Sequence, residues 1–408
     1  MTQDAPRVLL GVGGGIAAYK ACELLRLFTE SGHAVRVVPT AAALRFVGEP
    51  TWAALSGRPV ATDVFTDADE VPHVRLGREA DLVVVAPATA DLLARAAHGL
   101  ADDLLTNVLL TARCPVVMVP AMHTEMWEHA ATQANVALLR QRGVIVLEPA
   151  EGRLTGADTG KGRLPEPPEI FAVCRRVLAR GADRDDSLAG RHVVVTAGGT
   201  REPLDPVRYL GNRSSGKQGY AFARTALARG ARVTLVAANV ALPDPAGATV
   251  VRVGTTEELR KATVEAAQEA DAVIMAAAPA DFRPADYAAE KIKKSATGEA
   301  PTLRLVTNPD IAAELGERKR PGQVLVAFAA ETSEPGQAVA NALEKLSRKR
   351  ADLIVLNEVG VDRVFGKDEN TVTVIGADGS TVEFVDRSKD DVADAVWDLV
   401  AALLTRTG

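Results

Sequence analysis

Residues 193–219 read VVVTAGGTREPLDPVRYLGNRSSGKQG and carry the densest chemistry in the chain. An apolar strand, Val193–Thr196, runs into Ala197-Gly198-Gly199-Thr200, where glycines let backbone amides approach a ligand closely. The loop that follows is about 18 residues long and carries Arg201, Arg208 and Arg213. It enters a helix at Ser214-Ser215-Gly216-Lys217, with serine at the cap position and free amides in the first turn. Strand, glycine turn, basic loop and helix N-terminus together make an anion cradle. An ordinary βα connection is the alternative, but a loop of this length is long for one and points to function.

A second glycine turn, Gly11-Val12-Gly13-Gly14-Gly15-Ile16, also follows a strand and opens a helix. It departs from the dinucleotide fingerprint because Ile16 stands where the third glycine belongs. The second strand ends Val38-Pro39-Thr40, without an acid for a ribose 2′-hydroxyl. These residues argue against a nicotinamide dinucleotide and leave two readings, a mononucleotide phosphate on a helix N-terminus or a structural tight turn. Two further stretches, Ala86-Pro87-Ala88-Thr89-Ala90-Asp91 and PAMHTEMW at 120–127, lie at strand ends, where open α/β sheets bind ligands. His73 stands just before an apolar strand. The stretch 154–167, LTGADTGKGRLPEP, is glycine-rich and reads on its own as a flexible surface loop.

In the second half an apolar strand ends Met275-Ala276-Ala277-Ala278-Pro279-Ala280-Asp281-Phe282 and leads to Ala289-Glu290-Lys291-Ile292-Lys293-Lys294-Ser295. A lysine run is usually a solvated face; beside an acid at a strand end it suits a triphosphate. Thr307-Asn308-Pro309-Asp310-Ile311 reads as a turn capping a helix, and Ala327-Phe328-Ala329-Ala330-Glu331-Thr332 ends another strand. Lys345 and Lys349 lie four apart on one helix face, a spacing that alone reads as surface.

The elements that must position these residues alternate between strand-like and helical runs, which predicts α/β domains with largely parallel sheets. Strands are expected at Val8–Val12, Ala34–Val38, Leu82–Ala86, Val116–Val119 and Val144–Leu147, with a helix from Pro168 to Ala179 closing the first domain, residues 1–180. Residues 181–190 are polar and charged at their start and read as a linker. A second domain, 191–408, repeats the alternation with strands at His192–Thr196, Arg232–Val236, Thr249–Val253, Ala272–Ala276, Val324–Phe328 and Leu353–Leu356. Thr371–Ile375 and Thr381–Val385 read as a hairpin across Asp378-Gly379.

Composition bounds the partners. The chain has 408 residues, is 47% hydrophobic and 25% charged, and carries a net charge of −6, which gives no electrostatic argument for nucleic acid or an anionic membrane. No apolar run reaches membrane-spanning length, and no basic–apolar leader opens the sequence. Three scattered cysteines, Cys22, Cys114 and Cys174, offer neither a disulfide framework nor metal spacing. A cytoplasmic protein is expected.

The stretch 193–219, together with the motifs at 276–295, 307–311, 327–332 and 345–349, resembles the phosphopantothenate–cysteine ligases across residues 190–408. GGGIAAYK at 13–20, the histidine segment, the two strand-end motifs and the 154–167 stretch resemble the flavin-dependent cysteine decarboxylases across residues 6–180. Phosphopantothenoylcysteine decarboxylase is the member usually fused to such a ligase, so the whole chain resembles the bifunctional coenzyme A biosynthesis family. The resemblance implies a flavodoxin-like flavoprotein domain followed by a Rossmann-like ligase domain.

For the first domain it implies FMN bound by Gly14, Gly15, Ile16, Thr40, Pro87, Ala88 and Thr89. It makes His73 the catalytic base and His123, Met126, Asp158, Lys161 and Arg163 substrate contacts. The implied chemistry removes a thiol proton while flavin accepts a hydride from the adjacent carbon; the thioaldehyde formed makes the carboxylate a leaving group, and the hydride then returns. Two departures stand out. His123 replaces the family's asparagine, which makes any charge there pH-dependent, and Gly156 occupies the position of the cysteine that protonates the product.

For the second domain the resemblance implies CTP-dependent ligation: an acyl-CMP forms from 4′-phosphopantothenate, and the cysteine amine displaces CMP. Lys291 is implied in the first step and Asn212 in the second. CTP contacts are implied for Met275, Ala276, Ala277 and Asp281, for Pro309, Asp310, Ile311 and Ala312, and for Phe328, Lys345 and Lys349. Mg2+ or Mn2+ is expected with the triphosphate, with no ligands assignable from the sequence. Self-association is implied too, dimeric through the ligase domain and higher through the flavin domain. Two rivals remain: a nicotinamide-dependent oxidoreductase, and a ligase carrying a flavin-binding regulatory domain.

Overall fold

The computed structural model describes residues 5–62, 71–154, 158–180, 186–293, 302–331, 335–358 and 369–406. The chain divides into two compact units, Met1–Arg184 and Asp185–Gly408.

In the first unit five strands, β1 (Arg7–Val12), β2 (Ala34–Pro39), β3 (Leu82–Ala88), β4 (Val116–Pro120) and β5 (Ile145–Val146), form a parallel sheet in the order β2-β1-β3-β4-β5. Apart from Arg7 in β1 and Arg36 in β2 their runs are apolar, as in a sheet covered on both faces, and β3 is buried along its whole length. Leu24, Leu25 and Phe28 of the helix Ala18–Glu30 pack on one face with Ile170 and Cys174 of the helix Pro167–Arg180. Leu92 and Leu93 of Ala90–His98 and Leu105 and Val108 of Leu104–Thr111 cover the other. The strand order reverses between β1 and β3, and such switch points are where open α/β sheets bind ligands.

Three details depart from expectation. The strand expected at Val144–Leu147 shrinks to two residues. Part of the glycine-rich loop, 159–163, is the second strand of an antiparallel hairpin, β6 (Ala150–Arg153) with β7 (Thr159–Arg163). His73 lies within a helix, Pro72–Glu79, which begins with proline near its first turn; two residues separate it from β3.

The second unit is built on an eight-stranded sheet. Its strands are β8 (His192–Gly198), β11 (Arg232–Ala238), β12 (Thr249–Val253), β13 (Ala272–Met275), β16 (Val324–Glu331), β17 (Leu353–Glu358), β18 (Glu369–Gly376) and β19 (Thr381–Ser388). The numbers between belong to two small ribbons, β9 (Arg201–Pro203) with β10 (Tyr209–Gly211), and β14 (Phe282–Pro284) with β15 (Leu305–Thr307). The sheet order is β12-β11-β8-β13-β16-β17-β18-β19; the first six strands are parallel and the last two form the expected antiparallel hairpin. In chain order the six read 3-2-1-4-5-6, the doubly wound nucleotide-binding arrangement, with its switch point between β8 and β13.

Residues 186–190, expected to be linker, belong to this unit. Leu188 is wholly buried in the core that contains Phe222 and Trp397, and Ser187 accepts a hydrogen bond from the Arg229 guanidinium. One apolar side chain placed opposite the sheet outweighs the polar composition around it.

Candidate active sites

At the switch point of the first unit the loops after β1 and β3 are tied together: the Gly13 amide donates to the Pro87 carbonyl at 3.0 Å. A Cβ at Gly13 would lie 2.4 Å from that oxygen, and one at Gly14 would lie 2.3 Å from the Ala42 Cβ, so both glycines are required by close packing. Gly15 differs. A methyl placed there would meet the Thr89 Cγ2 at 3.8 Å and the Pro87 Cγ at 4.0 Å, ordinary contacts that leave room for it. The helix Ala18–Glu30 starts there with no side-chain cap and no acid in its first turn. That is a helix N-terminus left for an anion.

Thr89 is already engaged as the cap of Ala90–His98, accepting the Leu92 amide at 3.2 Å. Thr40 accepts the Ala43 amide at 3.2 Å and so shapes the turn against Gly14. Ile16 and Met126 present exposed apolar side chains, 63% and 48% accessible. His73 has its carbonyl fixed by the Thr111 hydroxyl at 2.8 Å, while its Nδ1 is buried without a hydrogen-bond partner among the described residues. An unpaired buried ring nitrogen is costly to keep and marks a group awaiting a partner.

The hairpin lies against the segment after β4, with the Met122 amide donating to Gly162 at 2.9 Å. His123 opens the short helix Thr124–Glu128, its carbonyl accepting from the Met126 and Trp127 amides at 3.0 Å each. Two of the expected substrate cations already have partners: Lys161 pairs with Glu148 at 2.6 Å, and Arg163 pairs with Glu166, which also binds Lys20 at 3.0 Å. Burial works to raise the Glu148 carboxyl, but Lys161 and Arg140 outweigh it and hold the group below the usual carboxylate range. Asp158 is exposed at the mouth of the hairpin, and its carbonyl accepts the Leu154 amide at 2.8 Å. Gly156 lies outside the described residues. Burial pushes the Cys22 and Cys174 thiols up within the core of this unit, so neither is suited to protonate a product at the hairpin.

In the second unit a cavity of about 780 Å³ opens at the carboxyl ends of the central strands. Residues that the sequence singles out meet on its wall: Asn212 faces it with Met275, Ala276, Ala277 and Asp281, with Pro309 through Ala312, and with Phe328, Lys345 and Lys349. Arg213, Lys217, Lys345, Arg348, Lys349 and Lys389 set six cations on the wall against the carboxylates of Asp281 and Asp310, a balance suited to a polyphosphate. Asp310 caps the helix Ile311–Arg318 through the Ala313 amide at 3.1 Å. Burial tends to raise its carboxyl, and Lys349 more than offsets this and lowers it. Asn308 holds the wall in shape: its side chain donates to the Ala280 carbonyl at 2.8 Å and its amide to that of Asp281 at 2.9 Å.

The anion cradle is smaller than expected. Arg201 stacks on the Tyr209 ring at 4.8 Å, and Arg208 is bound to Asp205, which leaves Arg213 as the arginine of that loop on the cavity wall. The helix cap is Gly216, at φ 78°, and the helix begins at Lys217. A Cβ at 216 would meet Val240 at 2.7 Å, so the left-handed turn and the close approach both exclude the expected serine there. Asn212 spends its side-chain amide on the Pro279 carbonyl at 2.9 Å. Lys291 is exposed and is not among the described residues on the wall.

Sequence reasoning missed Arg348, Asn357 and Lys389. Arg348 sits three residues past Lys345 and could have been found by helical spacing. Lys389 has no local signal; it reaches the cavity because Gln218 donates to its carbonyl at 3.1 Å, across 171 residues of chain. Among the described residues no three His, Cys, Asp or Glu side chains come together as a metal site, and no helix is long and apolar enough to cross a membrane.

Residues 1–178 match the family described as Flavoprotein, and residues 188–404 match the DNA/pantothenate metabolism flavoprotein C-terminal domain. The chain is 56% identical over 405 residues to the coenzyme A biosynthesis bifunctional protein CoaBC of Mycolicibacterium smegmatis, covering 98% of each. It is 42% identical to that of Bacillus subtilis, again over 98% of each. The crystal structure of the C-terminal domain of a CoaBC protein resembles it at 34% identity and a TM-score of 0.46, covering 54% of this chain and 99% of that one. With both domain families matched in order and full-length relatives on either side of half identity, the chain belongs to the CoaBC family of bifunctional coenzyme A biosynthesis enzymes.

Proposed function

We propose that the two units divide the family's two reactions, the second making 4′-phosphopantothenoylcysteine and the first decarboxylating it. The observation that carries this reading is the cationic cavity of the second unit, which gathers Asn212 and the residues expected to hold CTP on one wall at a nucleotide-binding switch point. Phe328 offers an apolar face for the base, edge-on to Phe222 at 5.7 Å, and the lysines at 345, 349 and 389 face the phosphates with their magnesium. Lys291 offsets charge on the phosphoryl group while acyl-CMP forms, which requires its long side chain to reach the bound triphosphate. Asn212 then contacts the acyl group without adding charge.

In the first unit FMN suits the residues present: an uncapped helix N-terminus for its phosphate, a loosely packed Gly15, and exposed Ile16 to lie against its ring. Bound there, it would supply a reversible hydride acceptor for the carbon beside the substrate thiol. His73 takes the substrate thiol proton at a ring nitrogen, Nδ1 being the atom without a partner. His123 and Met126 contact the substrate from beneath the hairpin, whose Asp158, Lys161 and Arg163 close over it; Lys161 and Arg163 must exchange Glu148 and Glu166 for substrate as they do so. The enzyme works in the cytoplasm and self-associates. Exposed Val207, Tyr209 and Leu210 on one ribbon, and Phe282 and Leu305 on the other, favour pairing of second units.

The test is a quench experiment with 4′-phosphopantothenate and labelled CTP, first without cysteine and then with it. Lys291→Gln releases almost no pyrophosphate. Asn212→Asp accumulates acyl-CMP that cysteine discharges roughly 100- to 1000-fold more slowly. Stalling of both variants at the same step would refute the division of roles.

A further inference from the structure

The turn of the β9–β10 ribbon is built around one carboxylate. Asp205 is 2% exposed, and its Oδ1 accepts the backbone amides of Val207 and Arg208, both at 2.8 Å. Its Oδ2 accepts the Arg208 guanidinium at 2.9 and 2.6 Å and, from a distant part of the chain, the Ile292 amide at 3.1 Å. Arg208 also donates to the Ile292 carbonyl at 2.6 Å, and the Ala288 amide donates to Leu204 at 3.1 Å. Residues 288–292 are therefore held to the ribbon turn at both ends. Lys291 lies inside that span, one residue from the amide that Asp205 holds. The same ribbon leads from β10 into Asn212, but Asp205 bonds Val207, Arg208 and Ile292, so of the two proposed catalytic side chains it is Lys291 that adjoins a residue it holds.

A carboxylate that only closed its own turn would need the Val207 and Arg208 amides and nothing more. The additional bond to Ile292 holds the peptide that joins Lys291 to Ile292. Charge-assisted bonds of this kind are short and strong, and a buried carboxylate that lost them would be left unpaired.

We infer that Asp205 is a positioning residue for Lys291, acting through the Ile292 amide to set the lysine for acyl-CMP formation. This rests on the role proposed for Lys291. The experiment measures single-turnover pyrophosphate release by the full chain, with 4′-phosphopantothenate and CTP, in Asp205→Asn, Lys291→Gln and the double variant. Asp205→Asn lowers the rate at saturating CTP about 10- to 100-fold, with the KM for CTP within about threefold of the parent. Cysteine discharge of acyl-CMP is unchanged, and the double variant is no slower than Lys291→Gln alone, because two residues acting through one group are not additive. A loss that multiplies in the double variant, or one confined to KM, overturns the inference while leaving the Lys291 role standing. Parent-like release by Lys291→Gln removes that role, and the inference with it. Beside Ile292→Ala, which keeps the amide and releases pyrophosphate at the parent rate, Ile292→Pro, which removes the amide but also restricts Lys291 before it, covers the case in which Asp205→Asn does not fold. It slows the same step, and parent-like release by the folded Ile292→Pro protein also overturns the inference.

Discussion

The Lys349 ammonium lies 2.7 and 2.9 Å from the two carboxylate oxygens of Asp310, so one cation of the second unit's cavity is paired before any nucleotide arrives. Asp310 is itself the cap of the helix Ile311–Arg318. Nucleotide phosphate must then share Lys349 with a carboxylate that has a structural duty.

Lys349→Met therefore raises the KM for CTP about tenfold while leaving the rate at saturating CTP within about threefold, the pattern of a ground-state contact. Initial rates across a CTP series decide it. A fall in the saturating rate with KM unchanged would move Lys349 from binding into the chemical step.

The glycines of the first unit separate packing from binding. Gly14→Ala drives a methyl into Ala42 and lowers stability by about 1–3 kcal/mol, with flavin lost as a consequence. Gly15→Ala meets nothing closer than 3.8 Å, so its melting temperature in the flavin-free form stays within about 2 °C of the parent. It nevertheless holds flavin at least roughly tenfold more weakly, because the methyl occupies space kept for the ligand. Calorimetry of both apo forms with a flavin titration distinguishes them. Equal flavin affinity in Gly15→Ala and the parent would place the cofactor elsewhere.

Acid stability follows from carboxylates held below their ordinary range. Burial works to raise both Glu148 and Asp205. Lys161 and Arg140 outweigh it at Glu148, and Arg208 with three backbone amides outweighs it at Asp205. A depressed folded-state value contributes stability that is fully present above the unfolded value, about 3.9 for Asp and 4.3 for Glu, and is lost as pH falls through the folded value. Thermal melts from about pH 6 down to about pH 3 should therefore drop steeply below about pH 4. In Asp205→Asn the second unit is less stable at neutral pH and its acid limb is shallower. An acid limb as steep as the parent's would show that the Asp205 charge is not what stabilises the turn.

Much of this was legible because buried parallel strands are unbroken apolar runs, and glycine turns mark where such strands meet a ligand. The strands at 193, 233, 273, 325 and 354, and the wall from Met275 to Asp281, follow from that pattern. The β9–β10 ribbon was not legible, since three-residue strands of mixed polarity carry no periodicity. Nor was the pairing of Asp205 with Ile292, which depends on register across 87 residues. Leu188 is hidden by charged neighbours, and Gly216 carries no cap signal in the sequence because serine is the commoner cap where the local backbone is not left-handed.

Both units are tested together by one full-chain reaction with 4′-phosphopantothenate, cysteine and CTP, comparing the parent with His73→Asn. The parent should form 4′-phosphopantetheine and carbon dioxide with equal amounts of CMP and pyrophosphate. His73→Asn should keep its flavin absorbance and its pyrophosphate release. Its decarboxylation should fall about 100- to 10,000-fold, so that 4′-phosphopantothenoylcysteine accumulates. Decarboxylation near the parent rate in His73→Asn, or product formed without consumption of CTP, would contradict the assignment of the two reactions to these two sites.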